Sequence, residues 1–304
     1  MVETASSVRN FLSINDVSKE ELEMLLDRAA VLKADLKSGK DQSNILRGKT
    51  LGMIFEKPSL RTRISFEVGI NQLGGHAVVL NTNEIQIDQR ESRADISRVM
   101  SRYLDGLMIR TFGQEVLEET SLYSSIPIIN GLSDIEHPCQ TLADLLTIKE
   151  RFGSLNGVKI AYIGDGNNTV HSLMLACAKL GVKIHVACPV EYEPKSEFES
   201  EYSTICHSVG EAAQDADVVY TDVWSSMGQE RDAQRRKKKF QGYQVNKALM
   251  SEYAKETAIV LHCLPAHRGE EITAEALEKH EEIILNQAEN RLHTQKAVLE
   301  WLMQ

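Results

Sequence analysis

Leu51-Gly52-Met53-Ile54-Phe55-Glu56-Lys57-Pro58-Ser59-Leu60-Arg61-Thr62-Arg63-Ile64-Ser65-Phe66-Glu67 is the stretch whose reading decides the fold. Leu51 to Phe55 form an apolar run that predicts a buried strand. Beyond the turn, Ile64, Val68 and Leu73 recur at helical spacing until Gly74-Gly75 stops the pattern. The turn thus joins a strand end to a helix start, where free N–H groups and the helix dipole favour an anion. Ser59, Thr62, Arg61 and Arg63 add two hydroxyls and two planar cations, so a small phosphate is the expected ligand. A capped helix with two solvated arginines is the plainer reading of this turn taken alone.

Outward from the turn, strand-like and helix-like segments alternate. Strands are expected at Leu51–Phe55, Ala77–Leu80, Leu107–Arg110 and Ile126–Ile129, with helices near 61–73, 92–103 and 115–123 and a longer one near 138–151. Upstream, Ser18-Lys19-Glu20-Glu21 is a capping box that opens a scaffold helix. Leu155-Asn156-Gly157 reads as a turn into a second series, with strands at Val158–Ile163, Lys183–Ala187, Val218–Thr221, Ile259–His262 and Ile283–Leu285. Two such runs predict an α/β protein of two domains, each a parallel β-sheet flanked by helices. The final helix, from about Ala288, is expected to pack back on the first domain. The expected division is residues 1–136 with 288–304, and residues 137–287.

The totals narrow the function. The chain has 304 residues, enough for two ordinary cores, and 34 basic against 44 acidic residues give a formal charge of −10. That balance argues against a nucleic-acid partner. The basic run Arg235-Arg236-Lys237-Lys238-Lys239 reads as a solvated helix face. Five scattered cysteines without a C-x-x-C spacing point away from a disulfide framework or structural zinc, and toward a reducing compartment. Met1 to Ser18 carries no signal pattern and no apolar run reaches membrane-spanning length. The expectation is a cytoplasmic protein that inserts in no membrane. An organelle protein after transit-peptide removal would look the same.

Several strand ends carry candidate chemistry. Arg110 closes the Leu107–Arg110 run on the same sheet edge as the opening turn, and His137 and Gln140 stand at i and i+3 where Pro138 starts a helix. A His and a Gln so placed can both donate to a developing oxyanion. Ile163-Gly164-Asp165-Gly166-Asn167-Asn168-Thr169 must be weighed as a dinucleotide loop, but the third glycine is missing and the next strand ends in Ala187-Cys188-Pro189 without an acidic residue. Its two amides suit a small polar substrate. Thr221-Asp222-Val223-Trp224-Ser225-Ser226-Met227-Gly228 sets a carboxylate at a strand end, fit to hold an amine or to cap a helix. In His262-Cys263-Leu264-Pro265 the neighbouring His would point away from the Cys, against a thiol nucleophile, and the Leu264–Pro265 bond is a candidate cis peptide. The polar stretch from Thr82 to Ser97 lacks periodicity, as an arm reaching into a neighbouring subunit would.

Taken together, Ser59-Leu60-Arg61-Thr62-Arg63, His137-Pro138-Cys139-Gln140, Asp165-Gly166-Asn167-Asn168, the Asp222–Gly228 loop and His262-Cys263-Leu264-Pro265 resemble the transcarbamylase family, in its ornithine branch. The resemblance covers nearly the whole chain. It implies transfer of a carbamoyl group from carbamoyl phosphate to the side-chain amine of L-ornithine, giving citrulline and phosphate, in a homotrimer with sites at subunit interfaces and no metal or organic cofactor. By motif position it implies Ser59, Leu60, Arg61, Thr62, Arg63, Gln86, Arg110, His137, Gln140, Cys263, Leu264 and Arg291 as carbamoyl-phosphate contacts, with Gln86 delivered by the neighbouring subunit. Asn168, Asp222, Ser226 and Met227 would contact ornithine, and Arg110, His137, Asp222 and Cys263 would serve catalysis. Leu60 stands where the family pattern has Thr, and the segment between Pro194 and Asp217 is shorter than usual. A sister enzyme using putrescine or an acyl-ornithine, or a non-catalytic ligand-binding relative, are the alternatives.

Overall fold

The computed structural model describes residues 8–81, 91–226, 228 and 230–304. Gln86, Met227 and most of the polar stretch after Leu80 lie outside them. The chain divides into two compact units, Met1–Leu142 with Arg291–Gln304, and Ala143–Asn290. Among the described residues, no helix is long and apolar enough to cross a membrane.

The first unit opens with α1 (Lys19–Lys37), started by the expected reciprocal capping box at Ser18. Then follow β1 (Thr50–Phe55), α2 (Leu60–Gln72), β2 (His76–Asn81), α3 (Arg93–Tyr103), β3 (Gly106–Arg110), α4 (Gln114–Tyr123), β4 (Ile128–Leu132) and the start of α5 (Pro138–Phe152). The described strands lie in the order β2-β1-β3-β4, all parallel. Leu51, Met53, Phe66, Ile70, Met108 and Ile128 are fully buried, since the central strands β1 and β3 are covered on both faces, while Ala77 to Leu80 of the edge strand β2 are only half-buried. Gly74 ends α2 with φ +88°, and a Cβ there would stand 1.7 Å from the Ser43 carbonyl oxygen, so only glycine fits.

The second unit holds β5 (Lys159–Ile163), α6 (Asn168–Leu180), β6 (Lys183–Ala187), β7 (Ser203–Cys206), α7 (Val209–Ala213), β8 (Val218–Thr221), α8 (Ala233–Lys239), α9 (Lys247–Glu252), β9 (Ile259–His262) and α10 (Ala274–Lys279). Its described strands run β7-β6-β5-β8-β9, again all parallel.

One expectation fails here. Ile283–Leu285 is not a strand but the first turns of α11 (Glu281–Met303), and the fifth strand is β7. A short apolar run such as Ile283–Leu285 carries no period of its own and suits a strand or a helix equally. The second half of α11 belongs to the first unit. There Glu300 takes a bidentate contact from Arg28 (2.7 and 2.8 Å), Trp301 packs edge-on against Phe11, and the buried Lys296 donates to Gln42 and Gln72.

Both sheets align the residues that matter. Phe55 is in register with Arg110, and Arg110 with Leu132, so the turns after β1, β3 and β4 share one edge. Ile163, Thr221 and His262 are likewise level, which brings the turns after β5, β8 and β9 together. Ligands of parallel sheets gather at such carboxyl ends.

Candidate active site

In the first unit the edge is a cluster of cations. Ser59 caps α2, its hydroxyl accepting from Thr62 N–H (3.2 Å). Thr62 is buried, and its hydroxyl accepts from Arg291 Nη2 (3.0 Å), while Arg291 Nη1 donates to Gln140 Oε1 (2.7 Å). Gln295, its amide turned to satisfy both ends, accepts from Arg291 Nη2 and Nε (2.9 and 3.0 Å) and donates to Ser65 Oγ. Arg110 closes β3 and is 8% exposed. His137 is 6% exposed, and burial together with the guanidiniums of Arg291, Arg110 and Arg61 holds its pKa well below the ordinary imidazole value. The imidazole is therefore neutral, and it can donate a hydrogen bond without adding charge. Burial likewise pushes the Cys139 thiol up to about 12, leaving it inert.

The structure separates the opening turn into two groups. Arg61 and Thr62 face His137 and Arg291, as the hydroxyl contact and the electrostatic influence show. Leu60 is 70% exposed, and Arg63 lies on the outer face of α2 beside Glu67 (3.4 Å). Lys57, which has no place in the Ser59–Arg63 motif, is buried, pairs with Asp134 and lies over the Phe112 ring.

In the second unit the edge is built around one carboxylate. Asp222, 6% exposed, accepts from Asn167 Nδ2 (2.8 Å) and Thr169 Oγ1 (3.4 Å) at Oδ2, and from Val223 N–H (2.8 Å) and Cys263 Sγ (3.0 Å) at Oδ1. Asn167 Oδ1 in turn caps α6 through Thr169 and Val170 N–H and accepts from Tyr162 OH (3.2 Å). Cys263 is thus a thiol that orients a carboxylate. His262 points elsewhere: Nδ1 accepts from Leu264 N–H (2.9 Å), so Nε2 carries the proton to Glu271 Oε1 (3.1 Å). Although the ligand atoms of Asp222, His262 and Cys263 come within 4.8 Å of one another, both His262 nitrogens are already engaged. Leu264 has φ +58° and its bond to Pro265 is cis, as expected for this turn.

The Gly-Asp-Gly turn after β5 is closed to a dinucleotide by its own chain. A Cβ on Gly166 would stand 2.2 Å from Pro194 N, and Gly166 N–H donates to Tyr192 O (2.8 Å). The second glycine is therefore spent on intrachain packing. Asn168 and Ser226 lie on the same edge, following β5 and β8. Asn167 is one of the two amides read at this turn, here engaged with Asp222; Thr169 and Gln295 carry no sequence signal, since an amide or hydroxyl that orients another side chain has no spacing to reveal it.

Two family models match the chain: "Aspartate/ornithine carbamoyltransferase, carbamoyl-P binding domain" over residues 9–150, and "Aspartate/ornithine carbamoyltransferase, Asp/Orn binding domain" over 156–302. The ornithine carbamoyltransferase of Oceanobacillus iheyensis is 52% identical, covering 97% of this chain and 94% of its own. That of Anoxybacillus flavithermus is 53% identical over 96% and 95%. Among solved structures, ornithine carbamoyltransferase from Pyrococcus furiosus superposes with a TM-score of 0.93 at 46% identity, covering 97% of both chains. The enzyme from Thermus thermophilus gives 0.90 at 40% identity over 98% and 100%. On two matched domains and half-identical relatives matched over nearly their whole length, the chain belongs to the aspartate/ornithine carbamoyltransferase family.

Proposed function

We propose that the protein transfers the carbamoyl group of carbamoyl phosphate to the side-chain amine of L-ornithine, releasing citrulline and phosphate. The observation that carries the reading is His137, buried and neutral beside Arg61, Arg110 and Arg291. Such a cluster suits a dianion joined to a carbonyl. Ser59, Arg61 and Thr62 hold the phosphate, with Arg291 and Gln140 behind them, while Arg63 on the outer face of α2 is left out of the set. Arg110, His137 and Thr62 donate to the carbonyl oxygen as it becomes an oxyanion.

Chemically, the amine nitrogen attacks the carbonyl carbon, the C–O bond to phosphate breaks, and the amine proton leaves with phosphate or solvent. An alkyl amine of pKa near 10.4 is neutral in roughly one molecule in a thousand or fewer at pH 7. The positive field favours the neutral amine, and Asp222, held by Asn167 and Cys263, orients it. The family resemblance supports Asn168, Ser226 and Met227 as further ornithine contacts, with Cys263 and Leu264 among those of carbamoyl phosphate. Approximation and electrostatics supply the rate, without a cofactor. The family resemblance also supports a cytoplasmic homotrimer in which Gln86 reaches a neighbour's site.

Comparing carbamoylation of ornithine, putrescine and N-acetylornithine tests the amine. Ornithine is expected to be preferred by at least about a hundredfold, since a site built for polar groups rejects analogues that lack or block them. Preference for either competitor would replace ornithine by that sister substrate.

A further inference from the structure

The basic run Arg235 to Lys239 is not uniformly solvated. Arg235 and Lys239 reach Glu191 (3.3 and 3.5 Å) and Lys237 reaches Glu270 (2.8 Å), all at the surface. Arg236 turns inward, 8% exposed. Its Nε donates to the Trp224 carbonyl (2.5 Å), its Nη2 pairs with Asp165, and its guanidinium lies over the rings of Tyr192 (4.7 Å) and Phe240 (5.4 Å). Trp224 stacks on Phe240 and donates from Nε1 to Tyr243 O (3.3 Å).

Three segments therefore meet on one planar cation. Asp165 opens the turn that carries Asn167 and Asn168. Trp224 stands two residues before Ser226 and two after Asp222. Tyr192 belongs to the segment that packs onto Gly166. A guanidinium can bind a carboxylate and a carbonyl in its plane while stacking rings on its faces; an ammonium cannot.

We propose that Arg236, through Asp165, is a positioning residue for the amino-acid substrate, tying the start of the loop that carries Ser226 to the turn that carries Asn168. The inference rests on the reading of those residues as ornithine contacts. Arg236 is not a catalytic residue. Its loss should loosen the amino-acid contacts while leaving carbamoyl-phosphate binding alone.

The test is steady-state kinetics on the full chain, comparing wild type with Arg236→Lys, Arg236→Gln, Asp165→Asn and the Arg236→Gln/Asp165→Asn double variant, with melting temperatures alongside. Arg236→Lys keeps the charge in case the glutamine variant does not fold. The expected result is an ornithine KM raised about tenfold or more, kcat within about threefold, and an unmoved KM for carbamoyl phosphate. The double variant should be no worse than Arg236→Gln alone, because the two residues act as one unit. Folded variants with an unmoved ornithine KM, or with both KM values and kcat shifted in parallel with melting temperature, would overturn the proposal. A wild type that fails to carbamoylate ornithine would instead overturn the reading on which it rests.

Discussion

His137 is held in its neutral form by two effects acting in the same direction, its burial and the nearby charges of Arg291, Arg110 and Arg61. It therefore does not titrate near the ordinary 6.5. The sign follows for the pH profile: kcat/KM for ornithine should climb steadily from pH 6 to 9 as more amine becomes neutral. An inflection near 6.5 would show an imidazole that charges during turnover. Arg110→Ala should lower kcat by about a hundredfold or more with the fold intact by circular dichroism. A mild loss would remove Arg110 from the oxyanion role. Asp222→Asn should chiefly impair ornithine saturation, since it removes the charge that Asn167, Thr169 and Cys263 hold in place.

At the scale of elements, the architecture was legible wherever period, length and punctuation agreed. β1 and the glycine stop between α2 and β2 were readable because an apolar run and Gly74 pointed the same way, whereas the stripe expected at Ile64 and Val68 is 49% and 38% exposed and α2 buries Phe66, Gly69 and Ile70 instead. β7, Ser203–Cys206, is short and only partly buried, so it left no hydrophobic signature. The start of α11 carries no distinguishing period, because Ile283-Ile284-Leu285 looks the same in a strand or a helix. The candidate site was legible where chemistry sits at a strand end, as at Arg110 and Asp222. It was not legible where a side chain acts through another, as Gln295 and Arg236 do.

Lys296 gives the helix α11 a titrating anchor. Burial first, and the charge of Arg28 second, lower its pKa from 10.5 to about 8. The unfolded chain thus binds the proton more tightly, so this residue's contribution to stability rises with pH between about 8 and 10.5. The difference in urea midpoint between wild type and Lys296→Met, measured at pH 8 and pH 10, should shift toward wild type at the higher pH. A constant difference would mean that Lys296 is not depressed. Ser59→Ala should cost about 1 kcal/mol through the lost α2 cap, and should raise the KM for carbamoyl phosphate as well.

For the whole molecule, the net charge of −10 and the guanidinium cluster of the first unit describe an acidic protein with one locally basic edge. That contrast suits a small anionic substrate over a polyanion. Light scattering should give the mass of three chains; a monomer with full activity would contradict the shared site expected through Gln86. The claim at the centre is the reaction itself. Purified protein supplied with 13C-carbamoyl phosphate and L-ornithine should place the label in citrulline, with one phosphate released per citrulline formed and none of either without ornithine. Phosphate release without labelled citrulline, or no turnover from folded protein, would contradict the account.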